Sequence, residues 1–262
     1  MTKNNVLILT DIEGISEVSS IEAINQNHPA YFEACEKLME DTNVAISALL
    51  DSGAEKIYVI DGHGKGDNFI KEKLNTAAHQ ITISELSDVI KKVECVVLIG
   101  MHAMSGTACA FLDHTQSSVK IHHYFYGDNR IGEISQIGTF AGHFGVPCVA
   151  VTGDDAACQE AKSLIDGIFT APIKRAKGRN FADCLSSDDA AKRIYSAVRG
   201  GYIARGDIKP MSVTLPLRIT VEFNRSDYCD EACENDPQII RTDAFTATTI
   251  KEKIENYQDV LL

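Results

Sequence analysis

Three runs of consecutive apolar residues, "NVLILTD", "KIYVIDGHG" and "ECVVLIGMHA", each stop at a cluster of polar side chains. A strand with one wet face alternates apolar and polar residues. An unbroken apolar run needs cover on both faces, as a strand inside a parallel sheet has. Between the first two runs lies "AYFEACEKLMEDTNVAISALLDSG", which places Tyr31, Cys35, Leu38, Ala45 and Leu49 near one helical stripe and ends at Gly53. "SELSDVIKKV" predicts a short helix opened by Ser84 ahead of the third run. A fourth buried run, "VPCVAVTGDD", leads into a helix over "DAACQEAKSLI". This alternation predicts an α/β fold, a mostly parallel sheet covered by helices on both faces.

Other segments follow different periods. "VKIHHYFYGDNRIGEI" reads as a hairpin turning at Gly127, Asp128 and Asn129, followed by a helix through "SQIGTFAGHFG". After about residue 166 come a helix over "SSDDAAKRIYSAVRGG", the alternating strand "SVTLPLRITVEF" and a terminal helix over "TATTIKEKIENYQDVLL". The expected organisation is an α/β domain over residues 1–165 carrying the polar strand ends, with a smaller α+β lobe over 166–262 packed on it.

Charge and apolar patterning narrow the partners. A formal net charge of −12 argues against a protein that tracks nucleic-acid phosphates. No window approaches the ~20 apolar residues of a membrane span, and the opening "MTKNNVLILTD" lacks a secretory signal's apolar region, so a cytoplasmic location is expected. The eight cysteines are scattered and read as reduced, small apolar residues. Cys229 and Cys233 fall one helical turn apart, but a pair without nearby His is a weak metal signal.

The polar ends of the strands carry the chemistry. Asp11 and Glu13 leave the first strand two residues apart, His63 follows the second and His102 the third. Ligands of open α/β sheets bind at the carboxyl ends of the strands, so the fold gathers these four side chains at one edge. Singly, each has an ordinary reading as a solvated acid or a hydrogen-bonded loop histidine. Together, a carboxylate and imidazole set suits zinc, with manganese, iron or cobalt as substitutes. Glu133, in "NRIGEISQ", is a candidate fifth ligand or else a first-turn glutamate on a helix dipole. Asp11 has two oxygens, enough to bridge cations ~3.5–4 Å apart as in two-metal hydrolases.

"DGHGKG" lacks the spacing of a nucleotide phosphate loop. His114, in the polar "FLDHT", is either a surface residue or one able to move protons at neutral pH. His122 and His123, adjacent on a strand, are expected on opposite faces. Asp154 or Asp155 is expected to cap the helix after the fourth run, with an outer hydrogen bond to a metal-binding histidine as the sharper alternative.

The ordered set "DIEG" (11–14), "DGH" (61–63), "GMHA" (100–103), "DHT" (113–115), "GE" (132–133) and "GDD" (153–155) resembles the DppA-type zinc D-aminopeptidases, and "CLS" (184–186) extends the resemblance. That likeness implies two zinc ions per chain and release of N-terminal D-amino acids from short peptides. It also implies a large homo-oligomeric ring with its sites facing an inner chamber. Carried over by position, Asp11 bridges the ions, Glu13 and His102 complete one, and His63 and Glu133 the other. His114 takes the place of the family's catalytic histidine, named its nucleophile; a proton shuttle suits an imidazole there. The chain departs from the family pattern at Leu9, in "IDGH" and in "GEISQIGT", around the pocket rather than at the ligands. The same residues also fit a metal-dependent hydrolase of another amide or a phosphate ester, or a metal-binding homologue without turnover.

Overall fold

The structure, a computed structural model, describes residues 4–262. In chain order the strands are β1 (Asn5–Thr10), β2 (Lys56–Asp61), β3 (Ala78–Ile81), β4 (Cys95–Met101), β5 (Ile121–Tyr126) and β6 (Asn129–Arg130). They continue with β7 (Cys148–Asp154), β8 (Phe169–Gly178), β9 (Phe181–Cys184), β10 (Leu217–Phe223), β11 (Ile240–Arg241) and β12 (Thr246–Lys251). The helices are α1 (Ala30–Leu50), α2 (Leu86–Val89), α3 (Glu133–His143), α4 (Asp155–Leu164), α5 (Ser187–Ile203) and α6 (Ser226–Asn235).

The four apolar runs become β1, β2, β4 and β7, neighbours in a seven-stranded sheet of order β3-β2-β1-β4-β7-β8-β9. Every pairing from β3 to β8 is parallel; only β9 runs antiparallel. All seven residues of β4 and all seven of β7 are buried, so both faces are covered, as unbroken apolar runs require. α1 packs against α5 and β4, while α4 and α5 pack against β7 and β8. The mostly parallel α/β expectation therefore holds.

A five-stranded antiparallel sheet, of order β11-β12-β10-β5-β6, completes the molecule. The expected hairpin is β5 and β6, with Tyr126 opposite Asn129 and Gly127 at φ +58 supplying the turn's positive angle. The sheets do not divide at residue 165. β8 and β9 extend the first sheet, whereas β5 and β6 belong to the second.

Several elements differ from the sequence reading. The expected terminal helix is instead β12 followed by a short 3-10 turn over Tyr257–Val260. Thr246, Thr248, Thr249 and Ile250 are β-branched, and the segment pairs antiparallel with β10. The short helix before β4 begins with a capping box from Thr82 to Glu85, not at Ser84, and breaks into 3-10 and α pieces. β8 is not among the elements expected from the sequence, because Lys174, Arg175, Lys177 and Pro172 break its apolar pattern. His122 and His123 are not splayed to opposite faces. The β5–β10 register shifts beside them, and the bulge leaves their rings 4.0 Å apart.

Parallel register puts the exits of β1, β2 and β4 at one edge, and the first exit is tightly built. Asp11 N–H donates to Ile99 O at 2.8 Å and Gly14 N–H to Gly100 O at 2.8 Å. A Cβ on Gly14 would lie 2.3 Å from Met101 O. Gly14→Ala is therefore expected to destabilise the protein by about 1–3 kcal/mol, the usual cost of overpacking. Gly178→Ala, with nothing within 4 Å of its Cβ, is the control and should stay within about 0.5 kcal/mol. Urea unfolding of both variants tests this, and equal midpoints would contradict the close approach.

Candidate metal centre

Asp11 is the first residue after β1, and its carboxylate lies between two imidazoles. Oδ1 is 3.0 Å from His63 Nδ1 and Oδ2 is 3.2 Å from His102 Nε2. Oδ1 also accepts from Ile12 N–H at 2.9 Å, which fixes the rotation of the group. Glu13 Oε2 is 3.1 Å from His63 Nδ1, and Glu133 Oε1, on the first residue of α3, is 3.3 Å from His102 Nε2. The structure thus brings together all five side chains singled out at the strand ends and at the start of α3. The close pairs join groups that the resemblance assigns to different ions, and Asp11 is common to both sides.

Local structure aims each group. His102 follows β4 and is 2 % exposed. Its Nδ1 lies 3.0 Å from Ala103 O, and a carbonyl can only accept, so Nδ1 carries a proton and Nε2 faces the carboxylates. His63 sits in a loop anchored by Asp61, whose carboxylate accepts from Asn68 N–H at 2.7 Å and from Asn68 Nδ2 at 3.0 Å. Asn68 Nδ2 also donates to His63 O at 2.9 Å. Asp154 caps α4 by accepting from Ala157 N–H, and its other oxygen takes Phe111 N–H at 2.8 Å.

His114 lies 3.9 Å from His102, ring centroid to centroid, with the planes 14° apart. Its Nδ1 is 2.9 Å from Leu112 O, so that nitrogen donates, and Nε2 is turned toward Glu133 Oε1, 3.8 Å away. Cys109, Leu112 and Gln116, all in the segment around it, adopt positive φ of 56°, 52° and 63°. Side chains rarely take that conformation outside functional or tightly held loops. At Gln116 it turns the backbone N–H onto Glu133 Oε1 at 2.7 Å.

The electrostatics demand positive charge at the centre. Burial opposes ionisation of Asp11, yet the His102 and His63 imidazoles against its two oxygens hold its carboxyl well below the usual range. Burial likewise opposes charge on Glu133, but His102 brings its pKa down. Burial works against protonating His63, and the Glu13 charge with the Asp11 contact pushes it up to about 11. His102 is driven well above the ordinary imidazole value by Glu133 and Asp11, against its own burial. Glu13 Oε2 and His102 Nε2 are buried yet have no hydrogen-bond partner of good geometry. Buried polar atoms left without a hydrogen bond among carboxylates and imidazoles are what a bound cation would satisfy, so the donor set fits a metal.

The centre floors a cavity of about 590 Å³ walled by Ile21, Ile24, Ile81, Leu112, Ile137 and Tyr257, within the size range of small-ligand pockets. Sequence reasoning missed three buried supports nearby. Asp41 accepts from both Ser16 N–H and Ser16 Oγ, and burial raises its pKa to about 6. Its signal was a charge on the apolar stripe of α1, next to Leu38 and Ala45. Glu160, raised to about 7 by burial, accepts from Met104 N–H just beyond His102. Lys174, 3 % exposed and lowered to about 8 by burial, has no comparable signal.

Within the centre two trios have ligand atoms within 4.8 Å of one another, Asp11–Glu13–His102 and His102–His114–Glu133, and a third such trio is His122, His123 and Glu222. Arg130 donates to His123 Nε2 at 2.9 Å, so Nδ1 holds the proton and donates to Glu222, leaving this ring no lone pair for a cation. Cys229 and Cys233 join no group of three possible ligands among the described residues.

The chain matches the D-aminopeptidase family, peptidase M55, over residues 5–262 and belongs to it. It is therefore a peptidase by family. The D-aminopeptidase of Bacillus subtilis (strain 168) is 25 % identical over 261 residues, covering 96 % of this chain and 93 % of its own. A solved structure described as the Zn-dependent D-aminopeptidase DppA from Bacillus subtilis, a self-compartmentalizing protease, has a TM-score of 0.92 and 24 % identity. The match covers 98 % of this chain and 95 % of that one, and shows a shared fold.

A histidine whose pKa is raised on folding stabilises the fold fully below its unfolded value, and that stability is lost as pH rises through the folded value. For His63 the window runs from 6.5 to about 11. The melting temperature of chelator-treated protein is expected to fall across it, and His63→Gln to flatten the fall. Identical wild-type and variant profiles would contradict the ion pairs drawn here.

Proposed function

We propose that this protein is a zinc-dependent aminopeptidase that holds two ions per chain and releases N-terminal D-amino acids from short peptides or amides. The observation that carries the reading is the Asp11 carboxylate set between His63 and His102, with the unpartnered Glu13 Oε2 and His102 Nε2 beside it at the floor of a cavity. Asp11 is the shared ligand. Ligand atoms of Asp11, Glu13 and His102 lie within 4.8 Å of one another, which suits one ion. His63 and Glu133 would complete the other, the pairing that the family resemblance implies. Manganese or cobalt are substitutes for the same donors.

Zinc held there would polarise the scissile carbonyl and lower the pKa of water. The remaining work falls to the chain. His114, whose Nδ1–H is held by Leu112 O so that Nε2 is the nitrogen turned to the centre, takes a proton from the attacking water at Nε2 and returns it to the leaving amine. Tyr257 and the isoleucines of the wall exclude water from the substrate's apolar side chain. The cavity admits a short peptide and not a folded domain.

The solved relative is described as self-compartmentalizing. A large closed homo-oligomer in the cytoplasm is the matching proposal here, and mass in solution by light scattering checks it. Among the described residues no helix is long and apolar enough to cross a membrane.

The direct test is hydrolysis of paired D- and L-aminoacyl amides and dipeptides by protein reconstituted with zinc, manganese or cobalt. D-substrates are expected to be cleaved faster, and His114→Ala to keep its metals while losing ~10²–10⁴ in rate, the usual share of general acid–base catalysis. No cleavage of any substrate with any metal would overturn the reading. A His114→Ala protein that lost metal would make His114 a ligand instead.

A further inference from the structure

A charged side chain sits in the core behind the metal centre, without lining the cavity or facing a carboxylate at ion-pair distance. Lys174 is on β8, opposite Asp154 of β7 and Cys184 of β9. Its Nζ donates to two main-chain carbonyls, Glu13 O at 2.7 Å and Val18 O at 2.6 Å. It also lies 5.0 Å from the centre of the Phe111 ring, whose face attracts a cation. Burying an ammonium is unfavourable unless its protons find acceptors, and here the acceptors are the two ends of one loop.

That loop, residues 13–18, is the one that presents Glu13. Its middle is held by Asp41 through Ser16, and its first turn by Gly14 against β4. Gly14 N–H belongs to the same planar peptide unit as the Glu13 carbonyl, so its bond to Gly100 O holds that plane from one side. Lys174 holds the same plane from the carbonyl side and ties it to Val18 O at the other end of the loop. We propose that Lys174 is a positioning residue that clamps both ends of this loop, and that through the clamp it sets the metal affinity of the Glu13 carboxylate. An apolar residue of similar length would fill the space, but it would leave Glu13 O without its donor and Val18 O with only the Cys184 thiol, and let Glu13 drift from the place where its Oε2 lies 3.1 Å from His63 Nδ1.

The inference rests on the metal-site reading above, so the test uses zinc binding and not turnover. Zinc-free wild type, Lys174→Met, Glu13→Gln and the double variant are titrated with zinc against a chromophoric chelator, with circular dichroism confirming the fold. In Lys174→Met the equivalent held through Glu13 is expected to weaken by about 10–100-fold, the usual cost of losing a group that orients a ligand. The other equivalent should change less than about threefold, because neighbouring effects are small where contacts are not shared. In the Glu13→Gln background the same change should add less than about twofold, since a residue acting through Glu13 has nothing left to position. Lys174→Arg keeps charge and donors on a longer chain. It is run through the same cycle, so a methionine variant that fails to fold does not end the test; its loss too should vanish in the Glu13→Gln background. Unchanged affinity in a folded Lys174→Met, parallel loss of both equivalents, or additivity with Glu13→Gln would each overturn the inference. Wild type that binds no zinc would instead overturn the metal-site reading.

Discussion

Everything at the strand ends is organised around one carboxylate with an imidazole on each oxygen. Asp11 is buried, where a lone anion would be neutralised by taking up a proton. It stays charged because His63 and His102 approach from opposite sides at 3.0 and 3.2 Å. Glu13 and Glu133 then press against the same two rings, so the centre carries three carboxylates around two histidines. Protons on the rings satisfy this arrangement in part. Two divalent cations would satisfy it fully, and the orphaned Glu13 Oε2 and His102 Nε2 show where protons alone fall short.

Such a cluster needs a scaffold that does not yield to the repulsion. The parallel sheet provides it, since β1, β2 and β4 are hydrogen-bonded neighbours whose ends share one edge. The groups behind the ligands are mostly main-chain holders. Asn68 and Asp61 hold the His63 loop, Asp41 and Lys174 the Glu13 loop, and Glu160 the segment after His102. Around His114, three residues at positive φ concentrate backbone strain in the one loop expected to work on a proton. The rigid edge and the strained loop play different parts: one keeps charges together and the other carries His114, the proposed base.

The first sheet was legible because burial on both faces leaves an unmistakable mark, four apolar runs ending in acids or histidines. Asp11, Glu13, His63 and His102 were legible for the same reason, since a polar residue just after such a run has one place to go, whereas Glu133 opens α3 and stood out only in the ordered set of motifs. β8 was not legible, because a strand carrying Lys174 and Arg175 looks like a solvated segment until its neighbours are known. β12 read as a helix because the lysines and glutamates after it extended a helical pattern over a threonine-rich strand. Lys174 and Asp41 show the deeper difficulty. A charge buried to hold backbone cannot be told in a sequence from one exposed to water, because its hydrogen-bond partners lie more than twenty residues away along the chain.

The central claim is that Asp11 is shared by both sides of the centre while Glu13 serves one. Metal content of Asp11→Ala and Glu13→Ala, each reconstituted with zinc, dialysed exhaustively and analysed beside wild type, tests it most directly. The expected result is two equivalents in wild type, a single loss in Glu13→Ala and the loss of both in Asp11→Ala, with the fold retained. An Asp11→Ala protein that still holds both equivalents would contradict it.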